Sequence, residues 1–162
     1  MIISNKNKID DLDKIDLDYI DKDGLKNHLR LIKKDKSYLI SGNSFNIDNI
    51  IDELLVREKN TTIKFFEKNF KLNFDIEKIY LNPKNIINNL KGFLILNKNG
   101  ISELNLVSKF SNNQNIKFTI NNNGNEKVTT LYSHKAKPFV DRYKFIKGFE
   151  EGDLDFYSIK KG

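Results

Sequence analysis

The stretch that decides the fold runs from Phe93 to Ser133 and reads FLILNKNGISELNLVSKFSNNQNIKFTINNNGNEKVTTLYS. Apolar and polar residues alternate in four short runs, near 93–97, 101–110, 115–120 and 126–133. Alternation with a period of two is typical of strands that bury one face. Asn-Gly at 99–100 and the Asn-rich segment 121–125 supply the positive-φ residues that tight hairpin turns need. The sequence therefore predicts an antiparallel meander here.

Upstream of this stretch, the pattern predicts a mixture of strands and helices. Residues 28–33 and 37–41 favour a hairpin, and residues 61–81 favour two strands joined at Lys68-Asn69. Three segments have apolar residues at helical spacing or a helix-opening pair. They are an acidic helix over 9–23 closed by Gly24, a helix over 47–59 capped by Ser44 or Asn46, and a short helix opened by Asn82-Pro83 and ended by Gly92.

Downstream of the meander, Pro138 predicts the start of a last helix that ends at Gly148, and 153–159 predicts a final strand. The expected fold class is therefore α+β: a single domain with a mainly antiparallel sheet of hairpins and a C-terminal meander, packed with three to four helices. We divide it into an acidic N-terminal helix or arm (1–24), a mixed half (25–92), and the meander with its C-terminal helix and strand (93–162).

Composition excludes several kinds of site. The chain has no cysteine and only two histidines, His28 and His134, so disulfides and thiolate metal sites are excluded. Neither a phosphate-binding loop nor a dinucleotide-binding glycine pattern is present, so we expect no cofactor and no metal. Apolar runs are short and the first residues lack the layout of a signal peptide, so we expect a cytoplasmic protein that does not enter membranes.

The formal net charge of +6 has two sources that must be separated. Lys, Asn and Ile make up 69 of the 162 residues, and all three have AT-rich codons, so base composition accounts for part of the charge. Such chains are common among proteins of phages, plasmids and their hosts, which suggests a mobile-element or host-defence setting. The distribution of charge is more informative, because residues 134–148 carry five basic residues and one acidic residue.

This basic segment is the main candidate site. It joins the end of a strand to the start of a helix, where free backbone amides attract anions. We interpret the chain as a non-catalytic binding protein whose basic surface engages nucleic acid or an acidic protein face. The residues assigned to this surface are Lys135, Lys137, Arg142, Tyr143, Lys144 and Lys147, with Lys33, Lys34 and Lys36 from the tip of the first hairpin.

Two alternatives remain open. An inhibitor or immunity-type protein would bind a basic partner through its acidic N-terminal segment, which contains Asp10, Asp11, Asp13, Asp16, Asp18, Asp21 and Asp23. A small metal-independent ribonuclease would use His134 to shuttle protons while Lys137 and Arg142 hold the phosphate. No second general acid or base is specified by the spacing, so the sequence favours binding over catalysis.

Overall fold

Strands make up most of the described part of the chain. The computed structural model describes residues 2–3, 9–48, 69–97, 100–143 and 151–161, and side chains within 12–48, 69–97, 100–140 and 151–161. The strands are β1 (Ile2–Ile3), β2 (Ile9–Asp11), β3 (Lys14–Ile20), β4 (Lys26–Lys34), β5 (Ser37–Asn46), β6 (Phe70–Asn82), β7 (Asn85–Asn97), β8 (Gly100–Lys109), β9 (Asn115–Asn123), β10 (Glu126–Ser133) and β11 (Leu154–Lys161). One short helix, α1 (Lys137–Tyr143), lies between β10 and β11.

Nine of these strands form one sheet in chain order, with β3 at one edge and β11 at the other. Neighbouring strands are antiparallel except β5 and β6, which are parallel. A parallel pair needs a crossover connection between its strands. Residues 47–69 make that connection, and the structure describes only its ends. Strands β1 and β2 form a separate two-stranded sheet.

The two faces of the sheet differ in character. One face carries the buried cluster and is here called the apolar face. Its members are Leu29, Ile76, Ile79, Leu81, Ile87, Phe110 and Ile116, with Phe139 of α1 packed against them. Because paired residues of neighbouring strands lie on the same side of a sheet, the register also defines the opposite, polar face. One row across that face contains Asp16, Arg30, Ser41, Asp75, Lys91, Val107, Lys117, Tyr132 and Asp155.

The centre of the sheet depends on a glycine. Gly92 in β7 has φ of 137°, and a Cβ at this position would overlap the carbonyl oxygen of Asn105 in β8. An L side chain is therefore excluded on both conformational and steric grounds. Nearby, Asn89 has φ of 56° and the β7–β8 register shifts between Asn88 and Lys91. In the neighbouring strand β6, the alternation of buried and exposed residues also changes, because Ile76 and Ile79 are three positions apart and both are buried.

The predicted α+β class, with three to four helices, is wrong. The described residues form a mixed β-sheet with α1 as their one complete helix, and a helical residue at Asp48. Most of the predicted helix 47–59 and the first predicted strand of 61–81 lie outside the described residues. The helix predicted at Pro138 is present as α1, and its predicted end at Gly148 also lies outside them.

The acidic helix predicted over 9–23 is wrong, because these residues form β2, β3 and the turn after β3. The predicted apolar face of the helix included Ile15 and Tyr19 but not Leu17. In the structure Ile15, Leu17 and Tyr19 alternate along β3, on the side of the sheet that holds Leu29. Asp is unfavourable in helix interiors and is also depleted in strands, so the pairing with β4 decides between the two structures.

The short helix predicted at Asn82-Pro83 is also wrong. Pro83 and Lys84 form the turn between β6 and β7. The Oδ1 of Asn82 accepts hydrogen bonds from the backbone amides of Lys84 and Asn85, both at 2.9 Å. Asn followed by Pro serves a turn as well as a helix cap, and the pairing of β7 with both β6 and β8 decides the outcome.

Candidate functional site

A shallow depression lies on the polar face, near the end of the sheet where β8 ends and β9 begins. Its volume is about 310 Å³. The side chains around it include Asn89, Val107, Lys109, Asn115, Lys117 and Tyr132. Val107, Lys117 and Tyr132 are consecutive partners across β8, β9 and β10, while Lys109 pairs with Asn115. The register therefore places two lysines and a tyrosine ring around one concavity.

His134 stands beside this depression, directly after β10. Its backbone amide donates to the carbonyl oxygen of Asn115 at 3.1 Å, and its Nδ1 accepts from the backbone amide of Asn115 at 3.0 Å. Its ring meets that of Tyr132 edge to face, with centroids 5.0 Å apart. The same Nδ1 lies 3.3 Å from the carbonyl oxygen of Asn115. The ring is thus held by both a strand end and an aromatic neighbour.

Tyr132 presents a protonated phenol to this end of the sheet. Its hydroxyl donates a hydrogen bond to Oδ2 of Asp153 at 3.2 Å. Burial is the largest cause that raises the pKa of Tyr132, followed by the negative charges of Asp153 and Asp155. Each of these disfavours the phenolate. Tyr132 therefore acts as a hydrogen-bond donor and an aromatic surface at neutral pH.

Three lysines at this end of the sheet form what we call the basic end: Lys109 and Lys117, which line the depression, and Lys135, which follows His134. The Nζ of Lys135 lies 5.4 Å from the ring centroid of Phe110, the residue that follows Lys109. Within the part of the chain that the structure describes, no carboxylate lies within 4.0 Å of these three Nζ atoms. Lys14, Lys26, Lys91 and Lys161 differ, because each forms an ion pair.

The structure describes only part of the predicted basic surface. Lys135 and Lys137 are exposed and lie at this end of the sheet, and Lys137 begins α1. Arg142 and Tyr143 have a described backbone in α1, while their side chains, and all of Lys144 and Lys147, lie outside the described residues. Grouping of the whole set remains a prediction.

The hairpin-tip lysines lie elsewhere. Lys33, Lys34 and Lys36 are exposed at the turn between β4 and β5. Six strand spacings separate β4 from β10, or about 29 Å at about 4.8 Å per spacing. In their place, the fold brings Lys109 and Lys117 to the basic end. Sequence reasoning missed both, because only the register between β8 and β9 shows that they share a face.

The acidic segment is dispersed among different environments. Asp16 forms ion pairs with Lys14 at 2.6 Å and Arg30 at 2.7 Å, and Asp18 lies 3.9 Å from Lys26. The hydrogen bond from Lys14, followed by that from Arg30, lowers the pKa of Asp16. Asp13 and Asp23 are exposed, whereas the side chains of Asp10 and Asp11 lie outside the described residues.

Asp21 has a structural role in the turn after β3. Its carboxylate accepts hydrogen bonds from the amides of Asp23 and Leu25 and from the side chains of Asn27 and Asn46. The hydrogen bond from Asn46 is the largest cause that lowers the pKa of Asp21. A carboxylate with four donors is already satisfied within its own chain, so Asp21 is not a free partner-binding charge.

Among the described residues, no group of three or more His, Asp or Glu side chains is placed to hold a metal ion. In the same residues, no helix has the length and apolar character needed to cross a membrane. No protein-family model, curated protein or solved structure matches the chain.

Proposed function

We propose that this protein is a non-catalytic binding protein that engages single-stranded nucleic acid through the basic end of its sheet. The carrying observation is that Lys109, Lys117 and Lys135 have no carboxylate within ion-pair distance among the described residues, and that Lys109 and Lys117 line a depression together with Tyr132.

The lysines supply the electrostatic part of recognition. An ammonium group that has no internal partner keeps its full charge for a phosphate, and phosphate contacts dominate the affinity of proteins for nucleic acids. Lys109 and Lys117 are diagonal neighbours on β8 and β9, because Lys109 pairs with Asn115 and Lys117 with Val107. Two charges at that spacing suit successive contacts along a flexible backbone.

The tyrosine and the amides supply a surface for the bases. Proteins that bind single strands combine cationic grooves with aromatic side chains on which bases stack. Tyr132 lines the depression, and the side chains of Asn89 and Asn115 add donors and acceptors beside it. These features favour a single strand, whose bases are free to stack, over a duplex.

The described geometry supports binding better than hydrolysis. His134 uses Nδ1 to accept from the Asn115 amide, and Tyr132 is kept protonated while its hydroxyl donates to Asp153. A ribonuclease of the kind predicted from His134 needs a second group that takes or gives a proton. Tyr132 is unsuited as the base because its phenol stays protonated, and its proton is already donated to Asp153, so we assign these rings to positioning and stacking.

The test compares two triple variants that lose the same charge. Lys109→Gln, Lys117→Gln and Lys135→Gln are combined in one protein, and Lys14→Gln, Lys26→Gln and Lys34→Gln in the control. Binding of fluorescein-labelled single-stranded RNA and DNA oligonucleotides is followed by anisotropy over a series of salt concentrations. Log K falls with log salt by about 0.7 per phosphate contact on single strands, so loss of three contacts should flatten the slope by about 2.

We expect the basic-end variant to lose affinity and salt dependence, and the control variant to retain most of both. Equal losses in the two variants would show that net charge, not this end, drives binding. If the wild-type protein binds neither oligonucleotide but binds an acidic protein, the proposal of a nucleic-acid partner is wrong. The basic end would then be a surface for an acidic protein.

A further inference from the structure

Exposed apolar side chains concentrate on the two edge strands of the sheet. Among the described residues, seven large hydrophobic side chains are exposed, and six of them lie on β3 or β11: Leu17, Tyr19, Ile20, Phe156, Tyr157 and Ile159. Edge strands also leave one row of backbone amides and carbonyls available for pairing with another chain. Both edges are therefore candidate interaction surfaces, and their side chains decide between them.

We propose that two copies of this chain pair through β11, strand against antiparallel strand, so that the two nine-stranded sheets become one. A two-fold axis perpendicular to the sheet keeps both polar faces on one side. It also pairs residues that share a face, as in any antiparallel ladder. With the axis beside Ser158, the residue pairing follows from the sequence of β11 alone.

In that register the edge is complementary to itself. On the polar face, Asp155 lies opposite Lys161 of the second copy, and Tyr157 lies opposite Ile159 of the second copy. The face assignment follows from the pairing of Asp155 with Tyr132 and Lys161 with Glu126 in the sheet. The symmetry gives each of these contacts twice. It therefore joins two pairs of opposite charges and covers two of the three exposed apolar side chains.

The other face of the edge is also matched. Phe156, which is 46% exposed, lies opposite Lys160 of the second copy, where a lysine stem packs over a ring. Lys161 approaches Glu126 at 3.8 Å within its own chain, and its side chain remains 81% exposed. It is therefore accessible to a second carboxylate across the dimer axis.

The edge at β3 does not offer this match. Self-pairing of β3 around Leu17 would set Asp16 opposite Asp18 of the second copy, and like charges directly opposite each other are destabilising. Pairing of β11 with β3 of another copy has a further mismatch. The register that joins Lys161 to Asp16 sets Ile159 against Asp18. Self-pairing of β11 is therefore favoured, and it closes into a dimer instead of an open chain.

The test is a charge exchange across the axis. Asp155→Lys places lysine against Lys161, and Lys161→Asp places aspartate against Asp155, so each single variant should dissociate. The double variant restores opposite charges and should dimerise again. Sedimentation velocity over a concentration series measures the dimer Kd, which we expect to rise about tenfold or more in each single variant and to return toward the wild-type value in the double variant.

Asp23→Lys and Lys22→Asp, in the exposed turn at the far edge, are the matched controls and should leave the Kd unchanged. Circular dichroism verifies that every variant keeps its strands. A monomeric wild-type protein at all concentrations would overturn the proposal, as would a dimer indifferent to the exchange. Oligomers that grow without limit and respond to Asp16 or Asp18 would overturn it in favour of β11–β3 pairing.

Discussion

The two edge strands have similar exposed apolar content but opposite polar chemistry. At β3, acidic residues alternate with Leu17 and Tyr19, and Asp16 forms ion pairs with Lys14 and Arg30 of its own chain. At β11, one acidic residue near the start and two lysines at the end flank the apolar residues. The order of charges along a strand therefore determines whether an edge accepts a copy of itself.

The edges also differ in how the sheet is held beside them. A polar network that contains the buried Asn27 and Asn46 ties the turn after β3, through Asp21, to β4 and β5. Beside β11, the hydroxyl of the buried Ser133 makes local hydrogen bonds, to the backbone of Lys135. We therefore expect polar substitutions to destabilise the β3 side more than the β11 side.

The largest effect is expected from Asn27→Ala. Asn27 is fully buried, its Oδ1 accepts from the amide of Asn46 at 2.7 Å, and its Nδ2 donates to Asp21 and Leu25. Alanine leaves buried groups without partners, which costs about 1–3 kcal/mol in the free energy of unfolding. Urea denaturation measures the loss. Asn121→Ala, on the exposed end of β9, is the control and should change stability little.

A smaller effect is expected from Ser133→Ala on the other side. Ser133 is also fully buried, but its hydroxyl serves only the amide and carbonyl of a residue two positions away. The expected loss is about 1 kcal/mol, the usual net value of one hydrogen bond. If this variant proved less stable than Asn27→Ala, the contrast between the two sides would be wrong.

Local sequence patterns predicted the C-terminal meander but not the N-terminal strands. The meander was predicted because each strand from Phe93 onward alternates and ends in an Asn-rich or Gly-containing turn; β9 and β10 match the predicted starts. The N-terminal segment was misread because Ile9, Leu12, Ile15 and Tyr19 also fit helical spacing. Pairing with β4, a long-range interaction, selects the strand.

The candidate site was harder to predict than the strands. Lys135 and His134 were singled out because they are close in sequence, whereas Lys109 and Lys117 belong to different strands. Their proximity depends on the pairs Lys109–Asn115 and Val107–Lys117. A register shift of one residue would move Lys117 to the apolar face, so no local pattern identifies it. The parallel pairing of β5 with β6 was not predicted either, because hairpin signals describe only antiparallel neighbours.

The loss of unfolding free energy at acid pH should depend on two carboxylates near the β3 edge. The pKa values of Asp16 and Asp21 are lowered in the folded protein, by Lys14 first in one case and by Asn46 first in the other. Folding then favours the ionised forms, so this stability is present above the unfolded pKa of about 3.9 and is lost as pH falls through the folded values. Asp21→Asn should flatten the fall in unfolding free energy between neutral and acid pH, measured by urea denaturation at each pH. Asp23→Asn is the control and should keep the wild-type slope.

The loss of unfolding free energy at alkaline pH should be smaller and should depend on Tyr132, in the strand next to β11. The pKa of Tyr132 is raised, first by burial and then by Asp153 and Asp155. Folding therefore favours the protonated phenol, and this stability is complete below the unfolded pKa of about 10 and is lost as pH rises through the folded value. Tyr132→Phe removes this dependence, so its unfolding free energy should decline less than that of the wild type above pH about 10. Tyr157→Phe, at an exposed position on β11, is the comparison variant.

The smallest expected effect concerns the protection of β3 itself. Asp18 has one distant ion pair, at 3.9 Å from Lys26, so its removal should cost little stability. Asp18→Thr keeps a strand-forming residue and removes the charge that faces Asp16 when two β3 strands pair. In an Asp155→Lys background, where β11 no longer pairs, this change should raise self-association slightly, as measured by light scattering at matched concentrations. Asp23→Thr in the same background should not, because that residue lies beyond the strand. If neither substitution changes scattering, the acidic residues of β3 are not what keeps this edge free, and the turn network beside it becomes the better explanation.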